Sequence, residues 1–143
     1  MAAFLTEEVK ETLKRAIASA ENQTSGEIVV SLVKHCKGDV FEEAKKFFDN
    51  KGLYKTKERN AVLVYLAYKD HKLAILGDEG INQKVPEDFW DSTVEIMTSN
   101  FKEGKYAKGL EEGILKIGEE LKHDFPWQED DENEIPDEIH VEK

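Results

Sequence analysis

The sequence contains one cysteine, Cys36, among 143 residues. A single cysteine cannot form a disulfide within the chain, which excludes the small disulfide-stabilised folds of secreted proteins. A chain of this length can bury a sufficient hydrophobic core without such cross-links. We therefore expect a globular protein of a reducing compartment, the cytoplasm.

Long apolar segments are also lacking. No run approaches the roughly 20 apolar residues that a membrane-spanning helix requires. The first residues, "MAAFLTEEVKE", have neither the basic start nor the apolar stretch of an export signal. We expect a soluble monomer without a membrane span.

Positive charge is scarce, since 20 lysines and arginines stand against 31 aspartates and glutamates and the net charge is −11. Nucleic acids and anionic membranes attract clustered lysine and arginine, so neither is an expected partner. The acidic excess concentrates in residues 127–143, which hold eight acids and one lysine. Such runs are typical of solvated segments. The sequence thus predicts a folded domain over residues 1–126 and an acidic C-terminal tail over 127–143.

Apolar segments of two kinds alternate through the rest of the chain. Residues 27–33 ("EIVVSLV") and 61–68 ("AVLVYLAY") are apolar on both alternating faces, which predicts strands buried on both sides. Residues 72–76 ("KLAIL") follow a short turn and predict a third strand, antiparallel to the second. Helical spacing of apolar residues predicts four helices, at about 6–22, from Val40 to before Gly52, from Pro86 to Gly104, and at about 107–121.

This order of elements predicts the fold class. Strand, helix, strand is typical of a right-handed βαβ unit with parallel strands. The antiparallel third strand makes the sheet mixed. The predicted fold is therefore α/β, a three-layer α/β/α sandwich with a small mixed sheet and helices on both faces.

Two adjacent acids, Asp78 and Glu79, follow the third strand in the turn "GDEG". Adjacent carboxylates repel each other unless a positive group lies beside them. If Tyr68 pairs with His71 across the hairpin turn, the antiparallel register places Asn60 opposite Glu79. The turn therefore lies next to the start of the second strand.

Other polar residues are predicted to reach the same edge of the sheet, because the parallel first strand begins there and the next helix starts nearby. The predicted cluster consists of Glu27, Arg59, Asn60, Asp78, Glu79 and Asp88. Oxygen-rich sites without sulfur suit Ca²⁺ or Mg²⁺. We predict a divalent-cation site with Asp78, Glu79, Asp88 and Glu27 as metal ligands and with Arg59 and Asn60 as residues that support the site or a phosphate. Calcium is the expected cation and magnesium the less favoured one.

A second interpretation of the cluster needs no metal. Arg59 forms an ion pair with one acid and the other carboxylates are solvated. Structural ion pairs are common, so the sequence leaves both interpretations open. His35 and Cys36 are adjacent as well, but no third group is evident beside them, and we expect this pair to have no catalytic role.

Several segments, taken in order, resemble the TPM domain family. They are "TSGEIVVSLV", "ERNAVLVYLAY", "KLAILGDEGI", the following "FW" helix, "KEGKYAKGLEEGI" and "HDFP". The resemblance covers about Phe4 to Pro126, and the tail segment "NEIPDEI" is similar to the segment after the domain in a soluble, single-domain bacterial branch. Many members carry Gly-Tyr-Gly-Leu-Glu after the last strand, whereas Asn82 stands here in place of their glutamate.

The resemblance implies an α/β/α sandwich and calcium binding, which is reported for members. It also implies an acid phosphatase activity, reported for plant members that are linked to photosystem II repair in the thylakoid. Two functions are expected as alternatives. One is a non-catalytic module that binds a divalent cation and stabilises itself or docks an unidentified protein partner; the other is a metal-dependent acid phosphatase-like hydrolase. The residues favour the first, because the net negative charge repels phosphate esters and no nucleophile is evident.

Overall fold

The computed structural model of the protein describes residues 6–127 and 139–142. In chain order their elements are α1 (Glu7–Glu21), β1 (Glu27–Val33), α2 (Val40–Asn50), β2 (Ala61–Ala67), β3 (Lys72–Gly77), α3 (Glu79–Asn82), α4 (Asp91–Lys102), α5 (Tyr106–Leu121) and β4 (Ile139–Val141). They form two compact units. The sheet unit contains residues 27–87 and β4, and the helical unit contains the described residues up to 26 and from 88 to 127.

The sheet unit is built on a mixed four-stranded sheet in the order β3-β2-β1-β4. β1 and β2 run parallel from the pair Glu27↔Ala61 to the pair Val33↔Ala67. β2 and β3 run antiparallel. The predicted α/β class, the parallel pair and the antiparallel hairpin are confirmed.

Both faces of the two central strands are buried. Every residue of β2 is buried, and so is every residue of β1 except the half-buried Val33. On one face the strands pack against α2 and the loop after it, and the buried residues of this core are Val29, Ala44, Phe48, Leu53, Ala61, Leu63, Tyr65 and Ala74. Continuous apolar segments of β-branched and aliphatic residues are typical of such doubly buried strands, as predicted.

The register of the hairpin is also the predicted one. Val62 pairs with Gly77, and the N–H of Asp78 donates to the carbonyl oxygen of Ala61 at 2.9 Å. Glu27 pairs with Ala61 from the other side. Glu27, Ala61 and Asp78 therefore form one cross-strand row at the end of the sheet. Because neighbouring strands lie about 4.8 Å apart, the backbones of Glu27 and Asp78 are separated by roughly 10 Å.

Two short elements differ from the sequence prediction. α3 begins directly after Asp78, where the sequence predicts only a turn. β4 lies within the predicted acidic tail and pairs in parallel with residues 30–32 of β1. Neither element is long enough to show a hydrophobic period in the sequence, which is why pattern analysis finds neither of them.

The four predicted helices are present, and the start of one is corrected. Pro86 is predicted to open the third of them, but residues 87–90 form turns and α4 begins at Asp91. The rings of Phe89 and Trp90 lie edge to face with centroids 4.7 Å apart just before the helix. Proline is as compatible with a turn as with a first helical turn. In the described residues, no helix is long and apolar enough to cross a membrane.

The helical unit is held together by close approach of α5 to its neighbours. A Cβ atom at Gly109 would lie 2.7 Å from a ring carbon of Phe101 in α4, and one at Gly118 would lie 2.7 Å from the Cα of Ala20 in α1. These distances are far below van der Waals contact. The glycines of α5 therefore serve helix packing, and the buried stripe beside them consists of Leu110, Ile114, Ile117 and Leu121.

Candidate functional site

The turn "GDEG" is where β3 ends and α3 begins, and Asp78 joins the two. The Oδ1 of Asp78 caps the helix by accepting the N–H of Glu79 at 2.7 Å. Its carbonyl oxygen accepts the N–H groups of Ile81 at 2.9 Å and Asn82 at 3.1 Å. Because its own N–H is bonded to Ala61 of β2, Asp78 is fixed from both sides and is only 6% exposed.

Arg59 lies against this turn in an uncommon backbone conformation. Its φ angle is +52°, in the left-handed region that residues with side chains seldom occupy. Its N–H donates to the carbonyl oxygen of Thr56 at 3.2 Å, and its own carbonyl oxygen accepts the N–H of Gly80 at 2.9 Å. A Cβ at position 80 would lie 2.6 Å from the Arg59 carbonyl oxygen and closer still to that of Glu58. Only glycine allows the two loops to approach so closely.

The side chain of Arg59 forms a bidentate ion pair with the carboxylate of Asp78. Its Nε lies 2.8 Å from Oδ2 of Asp78 and its Nη2 lies 2.9 Å from Oδ1. Its Nη1 lies 3.4 Å from Oε2 of Glu79. The hydrogen bond to Asp78 raises the pKa of Arg59 above its usual value. The positive group that the adjacent acids require is therefore Arg59, held in the parallel fork geometry that arginine and carboxylate favour.

A cavity of about 430 Å³ opens beside this ion pair within the sheet unit. Its lining residues are Lys45, Phe48, Asp49, Arg59, Leu76, Gly77, Asp78, Glu79 and Asn82. Two cations, three carboxylates and one amide thus line one cavity together with the apolar side chains of Phe48 and Leu76. The Nδ2 of Asn82 donates to the carbonyl oxygen of Gly77 at 3.1 Å, so its carbonyl oxygen is the end of the amide that can bind a cation.

The structure places two of the other predicted site residues, Glu27 and Asn60, at the same end of the sheet. Glu27 is 4% exposed and begins β1. Its N–H donates to the carbonyl oxygen of Asn60 at 3.4 Å. Asn60 is 2% exposed, and its own N–H donates to Oγ1 of Thr56 at 3.1 Å. Asn60 thus joins the start of β1 to the loop that carries Arg59, which is a supporting role.

Asp88, the remaining predicted ligand, belongs to the helical unit. There its carbonyl oxygen accepts the N–H of Asp91 at the start of α4, at 3.0 Å. Within the sheet unit, the charged contacts of the candidate site are those that Arg59 makes with Asp78 and Glu79.

The ion pair sets a condition on metal binding. Within residues 6–127 and 139–142, no group of three or more histidine, cysteine, aspartate or glutamate residues is arranged to hold a metal ion. Both carboxylate oxygens of Asp78 already accept hydrogen bonds from Arg59. A cation at these carboxylates would have to take the place of the guanidinium. The ligand set Asp78, Glu79, Asp88 and Glu27 remains a prediction.

A second polar cluster, which sequence analysis missed, lies at the turn of the β2–β3 hairpin. Asp70 accepts a hydrogen bond from the N–H of Cys36 at 2.7 Å and lies 2.8 Å from Nδ1 of His35. Lys72 Nζ donates to the carbonyl oxygens of Cys36 and Gly38 at 2.9 and 3.0 Å. The third group beside His35 and Cys36 is therefore Asp70, and no local signal reveals it because 34 residues separate it from Cys36.

This cluster holds a loop and does not activate a thiol. Cys36 is buried, and burial raises the pKa of its thiol, which disfavours the thiolate that nucleophilic chemistry requires. The bond to His35 and the Cys36 N–H lower the pKa of Asp70. Both hydrogen bonds are made by the ionised carboxylate, so they stabilise the loop when Asp70 is charged.

Fold and site together define a small α/β domain whose hairpin ends in an acidic turn closed by an arginine. The chain matches the family model of the TPM domain over residues 1–120. It belongs to the TPM domain family.

Solved structures share the fold of this chain. The chain is 42% identical to protein BA42 of the psychrophilic bacterium Bizionia argentinensis, determined by NMR, with a TM-score of 0.92 over 99% of this chain and 98% of that one. It shares the fold alone with the N-terminal domain of a P. gingivalis protein, at 19% identity and a TM-score of 0.70 over 87% of this chain and 80% of that one. The same holds for the N-terminal domain of cg2496 from Corynebacterium glutamicum, at 12% identity and a TM-score of 0.67 over 84% and 76%. A comparison with curated proteins gave no match.

Replacing Gly80 by alanine tests the close approach of the two loops. We expect Gly80→Ala to lower the free energy of unfolding by about 2–4 kcal/mol, because the added methyl group meets backbone carbonyl oxygens that cannot rotate away. Gly77→Ala is the matched control, since its Cβ would lie 3.1 Å from the side chain of Ile81, which can shift. Urea unfolding of both variants checks the prediction, and equal losses would contradict it.

Replacing Asp70 by asparagine tests the second cluster. The pKa of Asp70 is lowered in the folded state, so its stabilisation is present above the ordinary value near 3.8 and disappears as the pH falls through its lower folded value. We expect Asp70→Asn to be less stable than the natural chain at pH 7 and the difference to shrink below about pH 4. Urea unfolding at several pH values measures it, with Glu11→Gln as an exposed control. A difference that does not change with pH would show that the charge of Asp70 is not involved.

Proposed function

We propose that this TPM domain is a non-catalytic module whose acidic turn binds a divalent cation, Ca²⁺ in preference to Mg²⁺, in exchange for the guanidinium of Arg59. One observation supports this most directly: Asp78 and Glu79 both contact a single positive group. Carboxylates that converge on a guanidinium are also placed to converge on a metal ion, since both need a partner of positive charge with several directions of contact.

The donor types beside the turn fit calcium better than magnesium. Asp78 and Glu79 provide carboxylates, and Asn82, which lines the same cavity, provides an amide oxygen. Ca²⁺ accepts six to eight oxygen ligands in irregular geometry and fills vacant positions with water, whereas Mg²⁺ demands a regular octahedron and loses water reluctantly. Glu27 and Asp88 remain proposed ligands that single substitutions can test.

The exchange would also give the module a way to dock a partner. Arg59 is 42% exposed even while it is bonded to Asp78. Once a cation neutralises the carboxylates, the guanidinium is released toward solvent and can bind a carboxylate or another anionic group of a protein partner. The domain would then present a cation at the turn and an arginine beside it.

A calcium titration of the full chain at constant ionic strength tests the proposal. We expect amide shifts in the ¹H–¹⁵N spectrum at Arg59 and at residues 78–82, and a melting temperature raised by about 5–10 °C at a hundredfold excess of Ca²⁺ over its dissociation constant. Mg²⁺ should give a smaller rise. An equal rise with NaCl of matched ionic strength would mean that only general charge screening is observed.

Single substitutions separate exchange from simple binding. Arg59→Gln removes the competitor, so we expect calcium to bind several-fold more tightly to this variant. Asp78→Asn should abolish most of the calcium effect, and Glu11→Gln, which removes an exposed charge in α1, should leave it unchanged. Unchanged or weaker calcium binding by Arg59→Gln would contradict the exchange. Asp88→Asn and Glu27→Gln show whether these residues ligate the ion.

A phosphatase-like hydrolase is the second candidate, and one observation favours it. Lys45 and Arg59 line the same cavity, and two cations side by side can hold the oxygens of a phosphate. The three carboxylates of that cavity oppose a doubly charged phosphate ester. Hydrolysis of an aryl phosphate with and without Ca²⁺ or Mg²⁺ decides between the candidates. Turnover that is lost in both Lys45→Gln and Arg59→Gln would favour the hydrolase.

A further inference from the structure

We propose that the outer edge of β1 is a strand-docking surface that accepts β4 from its own chain or from a second copy, so that two chains associate by exchanging their C-terminal strands. This surface consists of residues 30–32 of β1 together with Phe47 and Lys51 of α2. It lies in the sheet unit and is independent of the acidic turn.

The first step of the argument is that β4 is a short attachment. It pairs with three of the seven residues of β1, from Val30↔Ile139 to Leu32↔Val141. One further bond, from the N–H of Glu142 to the carbonyl oxygen of Leu32 at 2.9 Å, extends the pairing. A backbone hydrogen bond contributes little net free energy, because the separated groups bond to water instead. So short a strand can detach at low cost while the rest of the sheet stays intact.

The second step is that the surface beneath β4 is suited to bind another strand once β4 has left it. Val30, Ser31 and Leu32 are at most 1% exposed, whereas all three residues of β4 are only half-buried. When β4 detaches, it uncovers an apolar strand with a row of backbone donors and acceptors. Such an edge recruits another strand.

The third step is that the surface selects a particular sequence. His140 pairs with Ser31 and packs its ring edge to face on Phe47, with centroids 5.2 Å apart. Phe47 and His140 line a cavity of about 410 Å³, and Lys51 and Glu142 also border it. The preferred occupant is therefore an extended segment with an aromatic imidazole between two branched aliphatic residues and a carboxylate after them. Residues 139–142, "IHVE", provide this pattern in every copy of the chain.

The fourth step concerns reach. Eleven residues lie between Trp127 and Ile139, and a connection of that length spans up to about 36–40 Å when extended. That distance exceeds the roughly 30 Å diameter of a small domain. A detached β4 can therefore reach the same surface of a neighbouring chain, which is the requirement for exchange of an identical element.

The connecting segment also predicts how the exchange responds to salt. Seven of its residues are acidic: Glu129, Asp130, Asp131, Glu132, Glu134, Asp137 and Glu138. Exchange brings two such segments together, and their mutual repulsion is screened as ionic strength rises. Association should therefore be weak at low salt and increase between about 0.01 and 1 M salt, the range over which the screening length falls from about 30 to 3 Å.

Cysteine cross-linking of full-length chains tests the exchange, in a Cys36→Ala background that removes the natural thiol. A chain with Ser31→Cys is mixed with a chain with His140→Cys, one of them carrying a mass tag. Neither chain can form this bond alone, so mixed disulfide above the level of random collision requires β4 of one chain to lie on β1 of the other. We expect this mixed dimer to exceed both same-variant dimers several-fold and to increase with protein concentration and salt.

Two controls make the outcome decisive. The double variant Ser31→Cys/His140→Cys should close a disulfide within one chain, because directly paired residues of neighbouring strands have the required separation. His140→Cys mixed with Glu103→Cys, whose carboxylate is 64% exposed in the natural chain, measures random collision. A double variant that closes while the mixed dimer stays at the collision level would overturn the proposal. A double variant that fails to close would overturn it as well, since the pairing on which it rests would be absent.

Discussion

The two-pronged hydrogen bond between Arg59 and Asp78 is the contact on which the end of the sheet depends. It joins the loop that precedes β2 to the residue that follows β3. Asp78 at the same time caps α3 with its carboxylate and bonds to β2 with its N–H. Removing the carboxylate would leave the N–H of Glu79 and the guanidinium of Arg59 without this acceptor. The left-handed backbone of Arg59 and the absence of a side chain at Gly80 are the local conditions that let this contact form.

The elements that could be predicted from the sequence are those with a repeated signal. β1, β2 and the long helices each extend over several hydrophobic periods, and the hairpin register followed from one assumed pair at its turn. That register correctly placed the turn acids beside the start of β2. α3 and β4 span four and three residues, too few for any period to show. The role of Asp70 depends on residues 34 and 35 positions away and has no local signature.

The sequence predicted which charged residues form the candidate site, but it did not predict which of them contact one another. Two adjacent carboxylates require a positive neighbour, and the sequence left two candidates for it, Arg59 and an external cation. Which of them occupies the position depends on whether the arginine side chain can reach both carboxylate oxygens, and this is set by the backbone of a single residue with positive φ. A composition or spacing argument contains no information on that angle, so the sequence alone does not reveal that Arg59 reaches both acids.

The two ends of the β2–β3 hairpin are each held by an aspartate with similar hydrogen bonds, but their surroundings differ. At each end an aspartate accepts a backbone N–H and a side-chain nitrogen, Asp78 from Glu79 and Arg59, Asp70 from Cys36 and His35. At the turn end Lys72 also bonds two carbonyl oxygens of the same loop, so that cluster is tied to the backbone throughout. At the other end the second carboxylate, Glu79, is 60% exposed and borders an open cavity. The charges at this end are bonded mainly to one another and not to the backbone, and the side chains of Glu79 and Asn82 line the same cavity.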